Sequence, residues 1–155
     1  MRDVTLCIPL KQNKICLGMK KRGFGADLFN GFGGKLMQGE DIETAAIREL
    51  SEEASIQVNK KDLKKVGELS FTFADKPEWD QKVHVYVFEK WEGEFQESDE
   101  MKPEWFSHKD IPFGKMWPDD SYWLPHVLDR KFVLAQFVFA ADQKTIQKYE
   151  MKLLP

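Results

Sequence analysis

The chain has 155 residues, of which 42% are hydrophobic and 32% charged, enough apolar material for one domain with a solvated surface. A formal charge of −3 argues against a general polyanion binder, so no nucleic-acid polymer is expected as a partner. Met1-Arg2-Asp3-Val4 lacks a signal-peptide core, no apolar run approaches the roughly 18 residues of a membrane span, and Cys7 and Cys16 are too few for a disulfide framework, which points to a cytoplasmic protein without a membrane partner.

In chain order, alternation of period two predicts strands over Val4–Leu10 and Ile15–Met19. Lys20-Lys21-Arg22 then runs into Gly23-Phe24-Gly25, a mobile loop that is either solvated or turned toward a phosphate. After a glycine-rich segment a helix is predicted from about Asp41 to Ala54, with Asp41 as N-cap candidate and Glu43 in the first turn. Strands resume at Leu69–Phe73 and Val83–Phe88, with a shorter candidate at Glu104–Phe106. A second helix should begin near Ser121 and end near Lys131, because Pro125 is tolerated only close to a helix start. Phe132–Phe139 reads as a strand, and Ile146–Leu153 as a strand or equally a helix. Strands interrupted by two helices predict an α/β layered domain over residues 1–155, a curved mixed sheet with helices on its faces.

At about 100° per residue, Ala46, Ile47, Leu50 and Ala54 share the core-facing stripe of the first helix. Glu49, Glu52 and Glu53 fall on an arc beside it. Three carboxylates at i, i+3 and i+4 repel one another unless something positive lies among them, and a hard divalent cation serves. The glutamates alone equally suit an ordinary acidic face, with Arg48 balancing Glu52 one turn on. The preceding segment tips the balance. In Asn30-Gly31-Phe32-Gly33-Gly34-Lys35, glycines let the backbone approach a ligand closely and aim amides or carbonyls at a phosphate or metal.

Gly34, five residues, Glu40, seven residues, then Arg48-Glu49-Leu50-Ser51-Glu52-Glu53-Ala54-Ser55-Ile56 resembles the signature box of the Nudix hydrolases. Ser55 departs from that pattern, which has glycine there. Gly18 to Gly25, Glu97 to Met101 and Met116 to Trp123 are further similar to the animal-type members of that family, which hydrolyse oxidised purine nucleoside triphosphates such as 8-oxo-dGTP. The resemblance implies the Nudix fold, with its curved sheet sandwiched between helices. It also implies magnesium-dependent cleavage of a small-molecule nucleotide to monophosphate and pyrophosphate by a monomer, with manganese as a substitute. Glu49, Glu52, Glu53 and Glu100, with the carbonyl of Gly33, would hold the metal, and Glu49, Glu52 and Glu53 would be catalytic. The implied substrate-binding set is Thr5, Lys20, Phe24, Asn30, Phe32, Gly33, Gly34, Lys35, Phe71, Trp117, Pro118, Asp119 and Asp120.

Elementary chemistry fits these roles. Trp117 offers a flat surface for a purine. Asp119 and Asp120 in a partly dry pocket cannot both ionise cheaply, so one is expected to stay protonated and donate to a base while the other accepts, unless they merely cap the second helix. Glu53, at the edge nearest the apolar stripe, is expected to be the most desolvated glutamate and a proton acceptor. His84, His108 and His126 neither cluster nor show ligand spacing. In the Pro77 to Lys82 loop the chain carries one extra residue and lacks a pocket methionine, and Phe29 stands where the relatives have tryptophan. Two rivals stay open: a Nudix hydrolase acting on ADP-ribose or a dinucleotide polyphosphate, and a catalytically silent nucleotide-binding module.

Overall fold

The computed structural model describes residues 1–155. Eight strands and two helices follow one another as β1 (Arg2–Lys11), β2 (Lys14–Lys20), β3 (Phe29–Asn30), α1 (Ile42–Ala54), β4 (Lys64–Phe73), β5 (Gln81–Phe88), β6 (Met101–Ser107), α2 (Asp120–Leu128), β7 (Phe132–Phe139) and β8 (Ile146–Leu154). The strand order is β3-β2-β1-β5-β4-β7-β8, with β6 along β2. β1 with β5 and β4 with β7 are parallel, and the remaining pairs are antiparallel, so the sheet is mixed. The C-terminal segment pairs with β7 over its whole length, which settles it as a strand.

Alternation assigns the two helices to opposite faces. Ile8, Val85, Val87 and Leu69 belong to the cluster that takes Trp123, Leu124 and Val127 of α2. Their neighbours Cys7, Tyr86 and Phe88 point the other way and join Ala46, Leu50 and Ala54 of α1. The sheet is thus covered by a helix on each side, as expected of an α/β layered domain. No helix is long and apolar enough to cross a membrane.

The buried arc of α1 differs from expectation in one respect. Ala45, Ala46, Leu50, Glu53 and Ala54 are buried whereas Ile47 is only half-buried, so the core-facing side is rotated toward the glutamates. The cause is the glycine segment before the helix, which folds back over that side and receives the Glu53 carboxylate on the Gly33 amide at 2.8 Å. Asp41 caps the helix by accepting from the Thr44 amide at 2.7 Å. At the other end Ser55 adopts φ +63°, the left-handed terminator conformation that favours glycine.

Candidate active site

Residues 32–34 form a short extra rung on the free edge of β1. The Thr5 amide donates to the Gly34 carbonyl at 2.9 Å, the Cys7 amide to the Phe32 carbonyl at 2.6 Å, and the Phe32 amide to the Cys7 carbonyl at 2.9 Å. At Gly33 a side chain has no space: a Cβ would stand 2.0 Å from the Thr5 carbonyl oxygen. At Gly34 it would stand 2.9 Å from the Glu49 carboxylate. These two close approaches explain the glycines and bring backbone to the acidic face of α1.

A cavity of about 520 Å³ opens beside this rung. One end is lined by Lys20, Gly33, Gly34, Lys35 and Glu53, with Asn30 and Thr5 alongside. The other is lined by Phe24, Phe71, Trp79, Trp117, Asp119, Asp120 and Trp123. Thirteen sequence-predicted positions are therefore not all in one place. Phe32 is fully buried on the opposite side, among Cys7, Phe88 and its ring neighbour Phe95, because strand-like pairing with Cys7 turns its side chain away from Gly31 and Gly33. Pro118 likewise stays outside the lining; it turns the chain between Trp117 and Asp119.

The carboxylates of the acidic face differ sharply in environment. Glu53 is 9% exposed, the Glu49 side chain 16% and the Glu52 side chain 59%. Burial, reinforced by Glu49, pushes the Glu53 carboxyl up to about 8. Burial raises Glu49 as well, against the pull of Arg48. Arg48 organises this face more widely than its pairing with Glu52 suggests. Its guanidinium donates to both oxygens of Glu40 at 2.7 and 3.0 Å, to Glu49 at 2.9 Å, to Glu52 at 3.2 Å, and to the Lys35 carbonyl at 3.1 Å. Glu100, just before β6, is paired with Arg22 at 2.8 Å and does not line the cavity. As placed, no three acidic, histidine or cysteine side chains converge into a ready cage. The donor chemistry nevertheless fits a hard divalent cation: oxygen ligands only, with the buried Glu53 carboxylate bonded to the Gly33 amide and to no cationic side chain.

At the other end Asp119 and Asp120 are 4% and 3% exposed. Asp119 occupies the N-cap position of α2 without capping it; its carboxylate instead accepts from the Trp123 indole at 2.8 Å. Burial pushes Asp119 up to about 6, and burial together with the Asp119 charge pushes Asp120 much higher. Burial and mutual repulsion thus disfavour ionising both carboxyls of this pair, and the upward push is the stronger at Asp120. Asp120 Oδ2 is the one buried side-chain polar atom without a hydrogen-bond partner in the molecule, which marks it as a group waiting for a ligand.

Two features escaped the sequence. Trp79 lines the cavity from the short turn Pro77–Trp79; the resemblance singles out its loop as one that carries a pocket residue, but nothing in the sequence names this side chain. His84 is buried in a sheet-face network, with Nε2 2.9 Å from Asp3 Oδ1 and Nδ1 2.9 Å from Lys65 Nζ, away from the cavity. Cys7 and Cys16 are fully buried free thiols, as their apolar surroundings predict. The Lys20 to Gly25 loop is tied down: Lys21 pairs with Glu97, Arg22 with Glu100, and Phe24 packs against Trp117.

Residues 1–127 match the NUDIX domain family. Over 151 residues the chain is 47% identical to the oxidized purine nucleoside triphosphate hydrolase of Mus musculus, covering 97% of this chain and 94% of that protein. A Danio rerio protein of the same name is 46% identical over 144 residues, covering 93% and 90%. Among solved structures, the mutator MutT protein from Bacillus halodurans superposes with a TM-score of 0.85 at 24% identity over 98% of both chains, a likeness of fold.

Proposed function

The chain belongs to the NUDIX hydrolase family, and from that premise we propose that it cleaves oxidised purine nucleoside triphosphates to the monophosphate and pyrophosphate, as a monomer working in the cytoplasm. One observation carries the reading: a single cavity joins a glycine-lysine-glutamate end to an end where Asp120 Oδ2 is buried without a partner beside Asp119 and Trp117.

The two ends divide the work. Lys20 and Lys35 face the phosphates, and the Gly33 and Gly34 backbone keeps that end open. Trp117 stacks against the base, with Phe71 closing one side. Asp120 donates its proton to a base acceptor while Asp119, held by Trp123, accepts from a base N–H. An oxidised purine differs from its parent in such donors and acceptors, so a mismatched base leaves buried carboxyl oxygens unpaired, a larger penalty than a misfit of shape. Thr5 Oγ1 is engaged with Gly34, 3.3 Å from its amide, and Asn30 Oδ1 accepts the Gly31 amide at 2.9 Å, which fixes the Asn30 amide group toward the cavity.

Glu49, Glu52, Glu53 and Glu100 with the Gly33 carbonyl would hold magnesium, or manganese in its place. When bound, that ion supplies charge neutralisation for the phosphates and acidifies a coordinated water. Glu53 is the least hydrated of the four. One oxygen is held by the Gly33 amide, and the other is positioned to take the proton of the attacking water.

The test is a substrate panel with and without excess chelator. Oxidised purine triphosphates should be hydrolysed faster than dGTP and dATP, pyrophosphate should be released, and chelation should abolish turnover reversibly. Preference for ADP-ribose or a dinucleotide polyphosphate would replace the substrate assignment, and hydrolysis that persists in excess chelator would remove the metal from it.

A further inference from the structure

Trp79 lines the base end of the cavity, although nothing in the chemistry above requires it. Its turn is firmly anchored. The Trp79 amide donates to the Lys76 carbonyl at 2.8 Å, the Asp80 carboxylate accepts the Phe73 amide at 3.0 Å, and the Asp80 carbonyl accepts the Arg2 amide at 3.3 Å. The indole stands edge-on to Phe73, 5.9 Å between centroids at 80°, and Lys76 Nζ lies over its ring at 5.5 Å.

Phe24 connects this indole to the other one. Its ring centroid is 5.4 Å from Trp79 and 5.0 Å from Trp117. Of the three rings Phe24 is the most exposed and belongs to neither the sheet nor a helix. It is 56% exposed and hangs between Gly23 at φ +78° and Gly25 at φ +84°. A base that stacks on Trp117 contests the space Phe24 holds, and displacing that ring bares the anchored Trp79 to whatever replaces it.

We infer that Trp79 is a specificity-determining residue, the second aromatic wall against which the base packs, selecting a bicyclic purine over a pyrimidine. The inference rests on reading this cavity as a purine nucleotide site. A ring held on a short, doubly anchored turn loses little freedom when a base arrives, so its contact favours binding directly. The alternative is that Trp79 only covers Phe73, and the two roles separate experimentally.

W79A, W79L and W79F are assayed with magnesium on 8-oxo-dGTP and on a pyrimidine triphosphate. W79A and W79L should raise KM for the purine about ten- to a hundredfold while kcat stays within about threefold, and W79F should restore KM to within about threefold. The purine-to-pyrimidine preference should fall in the same order. A second readout uses metal-free protein: 8-oxo-dGMP should quench tryptophan emission in wild type and W79F at similar concentrations, and require far more in W79A and W79L. Unchanged KM, equal losses on both bases, or W79L matching W79F would each overturn the inference. A wild type that ignores oxidised purine triphosphates would sink the functional reading instead, and the quenching titration, run with 8-oxo-dGMP and with a pyrimidine monophosphate, would still decide Trp79.

Discussion

The Trp123 indole donates to the carboxylate of Asp119 from one helical turn further on, at 2.8 Å, so Asp119 is fixed by a side chain of its own helix and spent on neither cap nor ion pair. That arrangement makes Asp119 the aimed acceptor of the pair. Asp119→Ala should therefore lower kcat/KM on 8-oxo-dGTP by at least tenfold more than on dGTP. Equal losses on both, measured side by side, would make Asp119 a structural residue.

The same pair gives a pH signature in stability. Both carboxyls are raised in the folded chain, Asp119 to about 6 and Asp120 further. The folded state therefore binds protons more tightly than the unfolded one between the ordinary aspartate range and those raised values. Stability is greatest below that window and falls as pH rises through it. Asp120→Asn removes its share, so the variant should gain on wild type progressively from pH 4 to pH 8 in urea titrations. A difference that is flat with pH would show that Asp120 ionises normally.

Glu53→Gln keeps an oxygen for the Gly33 amide and replaces a buried carboxyl that burial already holds against ionising. Turnover should drop at least about a hundredfold, while the melting temperature in the absence of metal should hold or rise. Near-normal turnover would take Glu53 out of the chemistry; a lower melting temperature would show that its proton matters to the fold.

Gly33→Ala tests the close approach to β1. With the Thr5 carbonyl 2.0 Å from the new Cβ, the rung must shift, and the loss should be about 1–3 kcal/mol. Gly114, whose Cβ would meet nothing within 4 Å, is the internal control and should change stability by less than about 0.5 kcal/mol. Equal effects at the two sites would mean that the rung is soft.

Ser55 ends α1 at φ +63°, a conformation that costs a non-glycine residue on the order of 1 kcal/mol. Ser55→Gly should raise stability by about 0.5–1 kcal/mol and leave kcat/KM alone. A destabilised variant would show that the serine side chain contributes something at this terminus beyond ending the helix.

Local pattern disclosed much of this molecule, and distant pairing disclosed the rest. The α1 face was legible because helical periodicity is local: Glu53 is the most buried of its three glutamates, and Ser55 ends the helix as a glycine would. Phe32 was misplaced because its direction depends on pairing with Cys7, twenty-five positions earlier in sequence, and parity in such a bridge cannot be read from the loop itself. Trp79 was passed over for the same reason, since its turn reaches the cavity only after β4 and Arg2 have anchored Asp80. The difference between the two aspartates needed the Trp123 contact to Asp119, which exists only once α2 is wound.

The rung formed by residues 32–34 has a consequence for how such a chain can change over time. The Phe32 amide donates to the Cys7 carbonyl and the Thr5 and Cys7 amides donate to the rung's carbonyls, so these three should exchange with deuterium at the slow rate of sheet interior, unlike the Gly23 amide at its exposed turn, which should exchange fast. An insertion or deletion within the rung would slip every pairing behind it, whereas one at the Gly23 tip displaces exposed turn residues. The phosphate end is accordingly inelastic and the base end adjustable. Lengthening or trimming the Gly23 tip would therefore change the wall beside Trp117 while leaving the rung and the glutamates next to it in place.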